Sequence, residues 1–400
     1  MKVKISPSNL SGKFSAPPSK SFAHRSIICA ALSNGKSRIY NLQKSEDILA
    51  TLDCISAFGV SAVENPEFTE IIGNGAKKIS SALFPCRESG STLRFFFPIA
   101  LSMCGKSVFT GSPRLIERGI GLYEDILKDI KIVKNDTSIE ATGNLTSGEY
   151  TIRGNVSSQY ITGLLLSLPL LDGDSKITVI PPFESRPYVD ITISVMEDFG
   201  VEIKKCGENS YFIRGNQNYT ARDTEIEGDW SNSAVFFALN ALGSDITVAG
   251  LNAKSLQGDI VITEYIKKLD EPTPKIDISD SPDLAPVLFA LAAAKNGAEF
   301  TGTARLRIKE SDRAKAMQEE LQKFGIKTEI YENSVKVFKG ELQKPSAPIF
   351  SHNDHRIVMA TAMLLTVTGG SICGAEAVSK SFPDFFDVLK SLGAEVSYES

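Results

Sequence analysis

The chain has 400 residues, 42% of them hydrophobic, with 43 basic and 48 acidic side chains for a formal charge of −5. That length exceeds what a single hydrophobic core serves, so two domains are expected. A mildly acidic total excludes a broad nucleic-acid or anionic-membrane surface, since both reward basic patches, and leaves anion recognition to local clusters. Six scattered cysteines without a C-x-x-C pair, and three histidines in all, point to a reduced chain with no metal site. The segment MKVKISPSNLSGKF lacks the apolar core of a signal peptide, and no run approaches the ~18 apolar residues of a membrane span. A cytoplasmic protein starting at Met1 is expected.

In chain order, the first element with chemical content is PPSKSFAHRSIICAALSNG. Lys20 and Ser21 open a helix, and Arg25, four residues beyond Ser21, shares its face, so Lys20 and Arg25 can grip one anion. In RESGSTLRFFFPIALS, Gly90 permits close backbone approach, Arg94 sits in the first turn, and Pro98 is expected to kink the helix without ending its apolar run. GSPRLIERG sets Arg114 after a turn proline. IRGNVSSQYITGLLLSLP places Ser157, Ser158 and Gln159 before an apolar helix, three hydrogen-bonding side chains where one cap would do. FESRPYVDI arranges Ser185, Arg186 and Tyr188 around Pro187.

Further on, SPDLAPVLFALAAA starts a helix at Asp283, which would serve equally as a cap. In ARLRIKESDRAKAMQEELQKFG the stripe Ala314, Met317, Leu321 and Phe324 has helical spacing and leaves Lys309, Glu310, Ser311, Asp312 and Arg313 at the helix start. SHNDHRIVMATAMLLTVTGG offers Asn353 or Asp354 as a cap, with His355 and Arg356 in the first turn, and SKSFPDFF puts Lys380 before a proline turn. Capping or a solvated charge run accounts for any one of these clusters alone. Together they put cations where the helix dipole disfavours them, and that arrangement suits bound anions.

Two independent series expose a repeat. Segments ending in an aromatic or leucine, then Gly, then a strand-like run, recur at Gly59, Gly200, Gly325 and Gly393, and two weaker copies without the Gly are marked by Asp129 and Asp270; the six step by 70, 71, 70, 55 and 68. The polar helix starts at Lys20, Ser89, Ser158, Ser231, Asp283 and Asn353 step by 69, 69, 73, 52 and 70. Both shorten at the same place, which predicts six βαβ-type units, three per domain.

SKS with Arg25, SGSTLR, SPR, SSQ, S-R-P-Y, SPD, KESDR, NDHR and SKSFPD, in this order over essentially the whole chain, resemble the EPSP synthase family of enolpyruvyl transferases. The resemblance implies an α/β (α+β) protein, a two-domain inside-out α/β barrel with three βαβαββ repeats per domain. One domain would comprise residues 1–18 and 228–400, completed by the N-terminal strand, and the other residues 19–227, with the active site in the cleft between them and closure on binding.

It also implies transfer of the enolpyruvyl group of phosphoenolpyruvate to the 5-hydroxyl of shikimate 3-phosphate, without a cofactor or metal, by a monomer with only small-molecule partners. Shikimate 3-phosphate would be held by Lys20, Ser21, Arg25, Ser157, Ser158, Gln159, Ser185, Asp283 and Lys309. Phosphoenolpyruvate would be held by Lys20, Gly90, Arg114, Gln159, Arg313, Arg356 and Lys380, with Arg94 nearby. Asp283 would be the base, Glu310 the proton donor, and Lys20 a third catalytic group shared by the substrates. Pro18, His24, Glu88 and Arg305 depart from the common pattern, and the last two are expected to alter details of binding. The sister transferase acting on UDP-N-acetylglucosamine is disfavoured by the missing reactive-cysteine loop, and a non-catalytic anion-binding scaffold would not need Asp283 and Glu310.

Overall fold

The computed structural model describes residues 1–399. The chain packs as two compact units, Pro18–Glu227 and Met1–Pro17 together with the chain from Gly228 onward. Pro18 belongs to the former, so the N-terminal segment stops one residue short of the expected 1–18. Local bonds anchor both crossings: Ser19 N–H donates to Glu227 O, and Asp229 N–H to Pro17 O, each at 2.7 Å.

In Pro18–Glu227 each repeat runs strand, helix, strand, helix or short helices, then a hairpin. Helices α1 (Lys20–Leu32) and α2 (Glu46–Ser56) go with strands Asn34–Tyr40, Ser61–Glu64 and Phe68–Asn74. The first strand of that repeat, Thr224–Glu225, is supplied from the far end of the unit and pairs in parallel with Asn34–Tyr40. Helices α3 (Gly90–Met103), α4 (Pro113–Arg118) and α5 (Gly121–Ile126) go with Ile79–Pro85, Cys104–Thr110, Lys131–Lys134 and Ser138–Thr142. Helices α6 (Ser158–Ser167) and α7 (Arg186–Asp198) go with Glu149–Arg153, Ser175–Ile180, Ile203–Lys205 and Ser210–Ile213. Every sheet has the same order, a parallel pair extended by an antiparallel hairpin.

The other unit repeats the scheme with one omission. Helices α8 (Trp230–Ala241) and α9 (Ile262–Lys268) accompany only Ser11–Ser15 and Asp245–Ala249. Helices α10 (Ala285–Ala294) and α11 (Arg313–Lys323) accompany Lys275–Asp277, Gly297–Thr301, Thr328–Ile330 and Ser334–Phe338. Helices α12 (His355–Thr368) and α13 (Phe385–Ser391) accompany Ile349–Phe350, Gly370–Cys373 and Val396–Glu399, with Lys2–Ile5 inserted between the last two. The shortened step now has a cause: α9 ends at Lys268, and Lys275 already opens the next sheet, so the hairpin of that repeat is missing. The strand-like run after Asp270 therefore belongs to the following repeat, where it pairs with Gly297–Thr301.

Helices α1, α3 and α6 of one unit and α8, α10 and α12 of the other are buried almost all round, and the sheets lie outside them. A helix apolar on every side has to be interior.

Pro98 sits within α3, which continues unbroken to Met103. Proline lacks the N–H that would bond the Arg94 carbonyl one turn back. The Tyr123 hydroxyl takes that place, donating to Arg94 O at 2.8 Å from a fully buried ring. A Cβ on Gly163 would run into both the Tyr123 hydroxyl and the Arg94 carbonyl, so α6 approaches α3 only with glycine there. Tyr123→Phe leaves the carbonyl buried and unpaired, and a loss of about 1–3 kcal/mol in urea unfolding is expected. An unchanged midpoint would mean that the hydroxyl is dispensable.

Candidate active site

In Pro18–Glu227 three buried helix starts carry the polar clusters. Lys20 is the first residue of α1, and its Nζ donates to Asp47 Oδ2 at 2.6 Å, from the first turn of α2. Arg25, one turn further, is 3% exposed. Its Nε donates to Thr192 Oγ1 at 2.7 Å and its terminal nitrogens to Ser21 O at 2.7 Å, Tyr188 O at 2.9 Å and Thr162 Oγ1 at 3.4 Å, with the guanidinium 5.1 Å above the Phe95 ring. All these acceptors are neutral, and no carboxylate pairs with Arg25 among the described residues. Burial lowers its pKa to about 10.

At the start of α3, Ser89 is the cap and accepts from Thr92 N–H. Arg94, also buried, donates to Gln159 Oε1 at 2.6 Å and to the carbonyls of Arg118 and Gly119 at 3.2 Å, and lies over the Tyr160 ring. Gln159 in turn donates to Ser91 Oγ at 2.9 Å. A Cβ on Gly90 would come within 3.0 Å of the Arg118 guanidinium. The arginine against the Gly90 loop is thus Arg118, at the end of α4, and not Arg114, whose side chain is 44% exposed and pairs with Glu117 at 2.8 Å. Ser112 caps α4 and Pro113 is its first residue, which sends Arg114 outward; Gly119, at φ 54°, then turns the chain after Arg118.

Ser157 caps α6 by accepting from Gln159 N–H, and Ser158 is buried beside it. Ser185, at φ 57°, precedes α7 and makes no side-chain cap bond. Glu184 N–H donates to Gly154 O at 3.2 Å, so the Ser157 and Ser185 loops are joined through Gly154. Two polar partners are additions to the sequence reading: Asp47, in the acidic first turn of KSEDILATLD, and the hydroxyl network by which His24 Nδ1 meets Thr51 at 2.7 Å and Thr51 meets Thr92 at 2.8 Å.

The other unit has the opposite electrostatics. Arg313, first residue of α11, is 1% exposed and surrounded by three carboxylates: Nε is 2.9 Å from Asp354 Oδ2, NH1 is 2.7 Å from Asp283 Oδ1, and NH2 is 2.8 Å from Glu310 Oε2. Those charges hold its pKa well above the ordinary value despite burial. What reads in sequence as a solvated charge run is an ion-pair cluster around one buried guanidinium. Lys309 Nζ shares Asp283 Oδ1 at 3.0 Å, and Arg356 NH2 stands 3.9 Å from Asp283 Oδ2. Burial would raise the pKa of Asp283, but Lys309, Arg313 and Arg356 outweigh it and hold the carboxyl well below its usual range.

Asp354, and not Asn353, caps α12, accepting from Arg356 N–H at 2.9 Å while its other oxygen takes Ser311 Oγ and Arg313 Nε. Arg356 is 6% exposed and its Nε is buried without a partner. Lys380 Nζ donates to the Asn353 carbonyl at 2.6 Å. Arg305 is buried and donates to Ser279 O. No cluster of metal-ligating side chains occurs among the described residues, and no helix among them is long and apolar enough to cross a membrane.

The profile of the family described as EPSP synthase (3-phosphoshikimate 1-carboxyvinyltransferase) matches residues 5–389. The chain belongs to the EPSP synthase family. The 3-phosphoshikimate 1-carboxyvinyltransferase of Clostridium kluyveri is 41% identical, over 98% of each chain, and that of Clostridium acetobutylicum 39% identical, again over 98% of each. An EPSP synthase structure from Acinetobacter baumannii superposes with a TM-score of 0.74 at 25% identity, covering 99% of this chain and 100% of that one. The inside-out arrangement of βαβαββ repeats is the fold of this family. Its reaction moves the enolpyruvyl group of phosphoenolpyruvate to shikimate 3-phosphate and releases phosphate.

Proposed function

We propose that the helix starts divide this reaction as follows. Lys20, Ser21, Arg25, Ser157, Ser158, Gln159 and Ser185, with Asp283 and Lys309, hold shikimate 3-phosphate. Lys20, Gly90, Gln159, Arg313, Arg356 and Lys380 hold phosphoenolpyruvate, with Arg118 in the place expected for Arg114. The observation that carries the reading is Arg25, a guanidinium buried on neutral oxygens. Buried charges are ordinarily paired, because an uncompensated one costs several kcal/mol. Arg94 repeats the pattern with three neutral acceptors. An anionic substrate supplies the missing countercharge.

Asp283 takes the proton of the 5-hydroxyl as that oxygen attacks C2 of phosphoenolpyruvate, and Glu310 gives a proton to C3, forming a tetrahedral intermediate with a methyl group. Loss of phosphate, neutralised by Lys20, and return of one methyl proton to Glu310 complete the transfer. A donor anion reaching Arg313 competes with Glu310 for its NH2 edge. A carboxyl that gives up a guanidinium partner holds a proton more readily, as this acid must.

The test compares two arginines four residues apart by phosphate release. Arg118→Met is expected to raise KM for phosphoenolpyruvate by about 10–100-fold, the scale of a charge-assisted bond, and Arg114→Met to change it less than about two-fold. Equal effects, or the reverse order, would return the donor role to Arg114.

A further inference from the structure

The chain enters α12 through two consecutive residues in the left-handed region, His352 at φ 50° and Asn353 at φ 52°. Left-handed conformation costs an L-residue roughly 1–2 kcal/mol, and His and Asn are only more tolerant than most. Two in succession persist where surrounding structure over-determines them, commonly beside a functional site.

Glu320 on α11 supplies that constraint. It is 1% exposed, a buried carboxylate next to Leu321 of the apolar stripe. One oxygen lies 2.8 Å from His352 Nε2, while the other accepts from Phe350 N–H at 3.0 Å and Lys323 Nζ at 2.7 Å. The carboxylate therefore brackets the entrance to the turn, and the Phe350 and His352 rings pack edge to face at 5.2 Å. Immediately beyond, the Asn353 carbonyl receives Lys380 Nζ and Asp354 receives Arg313 Nε. Arg313 and Glu320, two turns apart on one face of α11, thus grip the same loop at both ends.

We infer that Glu320 and His352 are positioning residues for the donor-anion site: their contact fixes the left-handed turn that aims Asn353 at Lys380 and Asp354 at Arg313. This rests on the reading that Lys380 and Arg313 hold phosphoenolpyruvate. The test is steady-state kinetics in both substrates on the full chain, with the folded fraction checked by circular dichroism. Glu320→Ala is expected to raise KM for phosphoenolpyruvate about ten-fold and KM for shikimate 3-phosphate less than two-fold, the change of one charge-assisted contact acting through the loop. Adding His352→Gly should recover most of that loss, because glycine takes positive φ without a Cβ penalty, whereas adding His352→Ala should not. His352→Val, β-branched and unable to reach Glu320, should reproduce the KM rise if Glu320→Ala does not fold.

A fall in Vmax with both KM values unmoved, or equal behaviour of the glycine and alanine double variants, would overturn the inference and leave Glu320 a stabiliser of α11. Lys380→Met separates the two levels. If it leaves KM for phosphoenolpyruvate unchanged, the donor-site reading fails; if it raises KM while Glu320→Ala and His352→Val do not, only the positioning role fails.

Discussion

Asp283→Asn is expected to lower kcat by about 10²–10⁴-fold, the range for loss of a positioned general base, while the chain stays folded. Asparagine preserves shape and one acceptor oxygen, so Lys309 and Arg313, now 3.0 and 2.7 Å from Oδ1, keep a partner. What disappears is the charge and the capacity to take a proton. The three cations around Asp283 hold its pKa well below the usual range, so it is ionised at neutral pH. A depressed carboxylate pKa contributes stability that is present above the unfolded value of about 3.9 and is lost as pH falls through the lower folded value. Protonation of Asp283 should therefore limit neither stability nor rate between about pH 5 and 8. So acidic a carboxylate is a weak base on its own, and Lys309 donates to the same oxygen at 3.0 Å. Phosphate release under saturating substrates measures the effect; more than a tenth of the parent kcat in the asparagine variant would remove Asp283 from proton transfer.

The fold was largely legible because its signals are local. Gly59, Gly200, Gly325 and Gly393, the markers of the repeat, all have positive φ, at 76°, 82°, 82° and 101°. The spacing also showed the shortened repeat, which the structure explains by the hairpin missing after α9. The site was legible as a set of helix starts but not as a set of partners, because partners are long-range. Nothing near KESDR indicates that Arg313 would be buried, since its neutralising Asp354 lies 41 residues away. Arg114 and Arg118 differ only in which end of a six-residue helix they occupy, and the Ser112 cap and Gly119 turn that decide their directions appear identical to ordinary loop punctuation. Pro98 was readable as a tolerated helix proline, whereas the hydroxyl that satisfies Arg94 comes from Tyr123, in a different helix.

Glu310→Gln is expected to fold normally and to lose about 10²–10⁴-fold in kcat, with KM for phosphoenolpyruvate changed much less, because an amide accepts from Arg313 but has no proton to give to carbon. The choice of residue follows from the charge balance. Arg313→Ala would leave the buried Asp354 without its guanidinium and take a partner from Asp283 and Glu310, and breaking a buried pair costs about 3–5 kcal/mol, so its kinetic effect would mix misfolding with lost binding. In Glu310→Gln the guanidinium keeps both aspartates, and its NH2 keeps an oxygen where Glu310 Oε2 stood at 2.8 Å. Deuterium uptake follows the proton added at C3 directly. In D2O the proton added at C3 comes from the acid, and the methyl group loses one of three hydrogens on elimination, so the product's vinyl carbon acquires label. The glutamine variant should show label uptake reduced in parallel with turnover, and per-turnover uptake should fall if any residual route bypasses a free methyl intermediate. Turnover within ten-fold of the parent, with normal labelling, would move the acid to another residue and leave Glu310 as one of the three anions that balance Arg313.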